Sequence, residues 1–309
     1  YLSACLAGAT VCPVPESVSF HGEQLISFIK EEKISLWYSV PLALRRMLEA
    51  PSAATLKQSH LRCVLFAGEV FPTDELLKLR ELLPGVRFAN LYGPTETNVC
   101  LWKEIEDSDF HDLSRPIPIG NPCPDTTLWL HQPQPGQNPD SQRGDLCVSG
   151  PSLMKEYWQS PTEHLIARNP GEPGSPVGYR TGDLVERTSD GVYHFIGRLD
   201  LQVKIRGFRV ELEEIENLLV QSPEVSRAVS VTATDQKKIL HIESFVILEN
   251  RTGSEEESTI SIRLKKFCAN HLPAHMVPSK IHILQAFPTT PNGKTNRKAL
   301  ALLCESDTP

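Results

Sequence analysis

Ile34-Ser35-Leu36-Trp37-Tyr38-Ser39-Val40, closed by Pro41, decides how this chain's fold is read. The run reads as a strand, with helical patterns on either side of it at 22–32 and 42–48. Further on, Leu61 to Ala67 is a second β-rich apolar run. Thr73-Asp74-Glu75 then opens an amphipathic helix with a capping-type start, which runs to Leu83 and stops at Pro84-Gly85. Strands alternating with helices predict a parallel sheet.

The pattern changes around residues 119–197 to short strands broken by turn-rich loops, notably His131 to Arg143 and Asn169 to Gly178. That is the look of a small antiparallel or barrel-like subdomain. After Asp200 it changes again: a strand at 201–206, a helix over Leu212 to Gln221, β-rich runs at 226–233 and 239–248, an acidic loop at 249–258, and a helix over Ser261 to Asn270. An α+β stretch of about a hundred residues is a reasonable independent domain.

The 309 residues, 40% of them apolar, suffice for a substantial core. With 31 basic against 38 acidic residues the net charge is −7, so a nucleic-acid surface is not implied. Eight cysteines stand at 5, 12, 63, 100, 123, 147, 268 and 304 without a C-x-x-C pair. Neither a disulfide framework nor a thiolate zinc site is suggested, and a reducing cytoplasm fits best. Nothing resembles a signal segment or an apolar run long enough to span a bilayer, and the sequon Asn250-Arg251-Thr252 would matter only in a secreted protein. Cys268-Ala269-Asn270-His271 with His275 has a faint metal-ligand spacing, but Pro273 between the histidines spoils a shared helical face.

Five motifs carry chemistry. Asn90-Leu91-Tyr92-Gly93-Pro94-Thr95-Glu96 puts a hydroxyl and a carboxylate on a Gly-Pro turn after a strand, where ligands of open α/β sheets sit. Tyr179-Arg180-Thr181-Gly182-Asp183 offers a carboxylate suited to a ribose diol. Gly197-Arg198-Leu199-Asp200 is a turn able to act as a hinge, and Gln202 to Gly207 and Pro291-Asn292-Gly293-Lys294 follow. Taken singly, the first two also read as ordinary turns. The lysine motif is not a P-loop, because Pro288 stands where that loop needs glycine.

In this order the set resembles the adenylate-forming superfamily, and within it the amino-acid adenylation domains of nonribosomal peptide synthesis, over nearly the whole chain. The resemblance implies an α/β fold: residues 1–199 are the rear of a large AMP-binding domain, with 118–199 as its small β subdomain, and 200–309 are an α+β lid that rotates about Asp200. It implies ATP and Mg2+, with Thr95 on the α-phosphate, Glu96 holding the metal, Tyr92 beside adenine, and Asp183 and Arg198 on the ribose or phosphate. Gly68, Glu69, Asn90 and Gly93 complete the nucleotide site. Lys294 neutralises charge as carboxylate and α-phosphate join. Arg206 and Gly207 line a tunnel for a phosphopantetheine arm. Asn296 replaces the family's usual acid before Arg297, which puts that acid's salt bridge in doubt.

Carried over in the same way, Tyr38, Leu65, Ala67, Leu91, Val99 and Cys100, with Lys294, line the acid pocket. The set suits a compact apolar amino acid, because a charged side chain would be unpaired there. It resembles that of stand-alone enzymes that load L-proline onto a peptidyl carrier protein. Relatives carry a Ser/Thr/Gly-rich phosphate loop and an amine-binding Asp upstream. Neither occurs here, and a start at Tyr1 is expected to be that of a fragment. Two rivals stay open: an acyl-CoA or aryl-acid ligase of the same superfamily, and a non-catalytic remnant.

Overall fold

The computed structural model describes residues 2–136, 140–159, 166–168, 177–235, 239–249, 256–290 and 295–306. Most of the acidic loop beyond Glu249, the sequon and most of the 169–178 loop lie outside them. The chain forms two compact units, Tyr1–Leu199 and Asp200–Pro309. Among the described residues no helix is long and apolar enough to cross a membrane.

In the first unit, a five-stranded sheet runs in chain order through β1 (Leu36–Ser39), β2 (Cys63–Ala67), β3 (Arg87–Tyr92), β4 (Leu101–Glu104) and β5 (Asn121–Pro122). The expected parallel pairing holds for β1, β2 and β3. β4 and β5 are antiparallel, because the chain turns back directly after Tyr92 without a crossover helix. Trp37, Val64, Phe66 and Phe88 point to one face and bury against helices Gly22–Glu31, Pro41–Glu49 and Thr73–Leu82. Their alternates Tyr38, Leu65, Ala67 and Leu91 share the other face, in register Tyr38–Leu65–Ala89 and Ala67–Leu91.

Two local expectations are corrected. Pro41 opens the second helix rather than merely closing the strand, its fixed φ suiting the first helical turn. Thr73 is no cap: Pro72 holds the N-cap position and the Thr73 hydroxyl donates to the Arg115 carbonyl at 2.6 Å.

A second sheet is antiparallel as expected, with β6 (Thr127–Pro135), β7 (Gln142–Ser149), β8 (Ile166–Arg168), β9 (Val177–Arg187) and β10 (Tyr193–Arg198) in the order β10-β9-β7-β6, and β8 on β9. Much of the expected 131–143 loop is paired strand among the described residues, with an irregular register between His131 and Gln134 accommodating Pro133. One apolar cluster joins the sheets: Tyr92, Cys100, Leu101 and Ile119 pack with Leu130, Leu146, Val185 and Tyr193.

In the second unit, β11 (Gln202–Ile205) and β12 (Phe208–Glu211) make a hairpin, and β13 (Val225–Thr234), β14 (Leu240–Leu248) and β15 (Lys280–Ile283) make a three-stranded sheet. Helices Leu212–Val220 and Glu257–His271 cover one face of that sheet; helix Arg297–Ser306 covers the other with Leu300 and Cys304. The expected helix at 261–270 thus begins a turn earlier.

Candidate active site

β3 ends at Tyr92, and the chain reverses within the next seven residues. Gly93 is required there: a Cβ on it would lie 1.6 Å from the Asn98 carbonyl oxygen. Asn98 itself sits at φ 53, a conformation asparagine tolerates better than most. The loop closes on its own backbone, Thr97 N donating to Pro94 O at 3.1 Å and Cys100 N to Tyr92 O at 2.8 Å. Thr95 is left exposed at the tip, while Glu96 is only 5% exposed. Tyr157 donates its phenolic proton to Glu96 Oε1, and Met154 N donates to the Glu96 carbonyl at 2.8 Å. Burial first, then that bond, push the Tyr157 phenol well up, so it stays a donor.

Across from this loop, β9 presents Asp183, 4% exposed. Tyr92 donates to its Oδ2, and Arg198, opposite it on β10, donates Nη1–H to its Oδ1 at 2.8 Å and to the Thr181 carbonyl at 2.8 Å. Burial, with the Asp183 charge behind it, pushes the Tyr92 phenol far above its ordinary range. The Tyr179–Asp183 segment is fixed from behind by Asp145 on β7, also 4% exposed. Its Oδ1 accepts Gly182 N at 3.0 Å and its Oδ2 accepts Arg180 Nε and Nη2 at 3.0 and 2.8 Å. Sequence reasoning missed Asp145 and Tyr157, because no local motif marks them; only strand register and a loop 61 residues from Glu96 bring them in.

Thr95, Glu96, Tyr92, Asp183 and Arg198 therefore belong to one region of the first unit, between the end of β3 and the β9–β10 pair. Gly68, at φ +98, and Glu69 follow β2, so they stand with Gly93 at the carboxyl ends of adjacent parallel strands. Asn90 donates Nδ2–H to the Pro118 carbonyl at 3.0 Å. Of the expected pocket positions, Tyr38 is exposed, and Leu65, Ala67, Leu91 and Val99 are half-buried. Cys100 is wholly buried, its thiol pushed up to about 12 by burial.

In the second unit, Asp200 Oδ1 accepts Gln202 N at 3.1 Å. Arg206 and Gly207, at φ 52 and 83, are the two residues of the β11–β12 turn, a pair of positive φ values that suits the twist of a tight hairpin. Lys294 and its Pro291-Asn292-Gly293 neighbours lie outside the described residues. Beside them, Asn296 Oδ1 accepts Ala299 N at 3.1 Å and so caps the last helix. Arg297 finds its carboxylate at Glu216, with Nη1 2.5 Å from Oε1 and Nη2 2.9 Å from Oε2. Cys268 is buried in the core, His271 hydrogen-bonds the Phe267 carbonyl and His275 stacks on Phe208, so the three do not meet as metal ligands.

Residues 1–158 match the family described as AMP-binding enzyme, and residues 214–294 match the AMP-binding enzyme C-terminal domain. The chain is 37% identical over 294 residues to an L-proline--[L-prolyl-carrier protein] ligase of Pseudomonas fluorescens, covering 95% of this chain and 55% of that protein. A protein of the same name from Streptomyces coelicolor is 37% identical over 308 residues, covering 97% of this chain and 55% of its own length. Among solved structures, that of IdnL1 superposes with a TM-score of 0.77 at 30% identity, covering 91% of this chain and 56% of that one. The chain thus spans about half the length of the curated relatives it matches.

Proposed function

The chain belongs to the AMP-binding enzyme family, and on that premise we propose that it is part of an amino-acid adenylating ligase that activates L-proline with ATP and passes the prolyl group to a carrier-protein thiol. The observation that carries this reading is the buried Tyr92–Asp183–Arg198 cluster beside the Thr95–Glu96 turn. A carboxylate fixed in place by an arginine and a phenol is well set to accept hydrogen bonds from ribose hydroxyls. The adjacent exposed Thr95 hydroxyl suits a phosphate, and Glu96 offers the hard oxygen that magnesium takes alongside substrate phosphates.

In this reading the carboxylate of the amino acid attacks the α-phosphorus of ATP, and pyrophosphate leaves. Thr95 orients the phosphate and Arg198 supports the nucleotide end. Lys294 offsets the negative charge that gathers between the two reactants, an electrostatic contribution that counts most where water is excluded. Gly68, Glu69, Asn90 and Gly93 frame the nucleotide. The apolar face of Tyr38, Leu65, Ala67 and Leu91, with Val99 and Cys100, selects a compact side chain such as proline's. The names of the relatives support that choice. The acyl-AMP then meets the phosphopantetheine thiol after rotation about Asp200, with Arg206 and Gly207 at the arm's path.

The test is ATP–pyrophosphate exchange on the 309-residue chain with a panel of amino acids, and with Lys294→Ala beside it. Exchange with proline that disappears in the variant supports the reading. Exchange with a different acid overturns the proline assignment, and none with any acid overturns activity for this chain by itself.

A further inference from the structure

The second unit holds a cluster of chemistry-bearing side chains that adenylation does not use. His241, Glu243 and Phe245 alternate along β14 and so face the same side, the one covered by helix Arg297–Ser306. Glu243 is 8% exposed. Its Oε2 lies 2.6 Å from His282 Nε2 on β15 and its Oε1 3.1 Å from His241 Nε2. His282 is fixed by stacking on Phe245, ring centroids 4.6 Å apart and planes 13° apart. Cys304, 6% exposed, closes the group from the helix.

One ligand atom each from Glu243, His282 and Cys304 lies within 4.8 Å of the others. Around a tetrahedral zinc ion, with bonds of about 2.0–2.3 Å, donor atoms stand roughly 3.5 Å apart, so small side-chain adjustments bring all three into its first sphere. The donor set is one sulfur, one imidazole nitrogen and one carboxylate oxygen, which suits zinc and not calcium or magnesium. Packing alone gives no reason to bring these polar groups together beneath a helix, since apolar side chains of similar volume fill such a space without a desolvation cost.

We propose that Glu243, His282 and Cys304 form a zinc-binding site that fastens helix Arg297–Ser306 to the β14–β15 edge of the second unit, with His241 orienting the Glu243 carboxylate. As zinc binds, the Cys304 thiol releases its proton to solvent and the sulfur lone pair forms the Zn–S bond. In sequence, His282 and Cys304 bracket the Lys294 segment, so the ion would anchor the chain on either side of that lysine.

The experiment uses the full 309-residue chain, stripped with a chelator and titrated with Co2+ in an absorption cell, then with Zn2+ in competition. The expected result is a thiolate-to-cobalt charge-transfer band that zinc abolishes at one equivalent, together with a rise in Tm on adding Zn2+. Cys304→Ser should lose the band and bind zinc at least about tenfold more weakly. If Cys304→Ser does not fold, His282→Gln and the zinc dependence of the wild-type Tm decide. No band and no Tm shift in the wild type would overturn the proposal, as would a band unchanged in Cys304→Ser, which would assign the cobalt to other thiols.

Discussion

Tyr92, at the end of a strand of the first sheet, donates its phenolic proton to Asp183 of the second, joining residues 91 positions apart in a buried contact. The bond couples the two halves of the candidate nucleotide site. Tyr92→Phe leaves Asp183 with Arg198 alone and should lower stability by about 1–3 kcal/mol, read as a lower denaturation midpoint. Asp183→Asn should weaken AMP binding at least about tenfold by titration calorimetry, the loss of charge-assisted bonds to the ribose. Unchanged AMP affinity would remove Asp183 from the nucleotide site.

Gly93→Ala is expected to be among the costliest single-methyl additions in the molecule. Its Cβ meets backbone, not a side chain that can swing away. A loss of at least about 2 kcal/mol should appear in urea unfolding. Gly191→Ala meets nothing within 4 Å and tests a different term, the strain of φ +87 alone.

Glu216→Ala strips both guanidinium bonds from Arg297 and an acceptor from Ser230 N at 2.8 Å. Arg297 retains partial solvent access, so the cost should be about 2 kcal/mol, below that of breaking a fully buried pair. Hydrogen exchange should show the loss concentrated in helix Arg297–Ser306. Protection unchanged there would mean the pair contributes nothing to holding that helix.

His194, half-buried on β10, has its imidazole held below the usual value first by burial and then by the Arg115 charge, with Glu186 and Asp190 opposing. The folded state therefore favours the neutral ring, and the unfolded chain takes up the extra proton first as pH falls. The stability His194 contributes is present above the unfolded value of about 6.5 and is lost below it. Tm should fall between about pH 7.5 and about pH 5.5, and His194→Gln should shrink that fall. An identical pH profile in the variant would assign the effect to other groups.

The regular parts were legible because they repeat. The 34–40 and 61–67 runs, the helices around them and the antiparallel character of 119–197 all follow from local periodicity. What escaped depends on distant partners. Strand Phe208–Glu211 hid in an apparently continuous loop-to-helix run, and Lys280–Ile283 is too short to announce itself. Thr73 looked like a cap until Arg115 took its hydroxyl. At the site, the turn bearing Thr95 and Glu96 and the aspartate at 183 stood out as motifs. Asp145 did not, since its purpose exists only once β7 lies beside β9. The Glu243 cluster was equally invisible: its members come from two strands and a helix, with no spacing that a single element would impose.

Among the described residues β1 pairs with β2 alone, and it carries Leu36 and Tyr38 at 54% and 57% exposure. A bordering strand with open backbone donors and acceptors and apolar side chains is a template for a second chain. Handled by itself, the polypeptide should therefore show concentration-dependent self-association, and Leu36→Lys should suppress it more than a lysine introduced at an exposed position away from this strand.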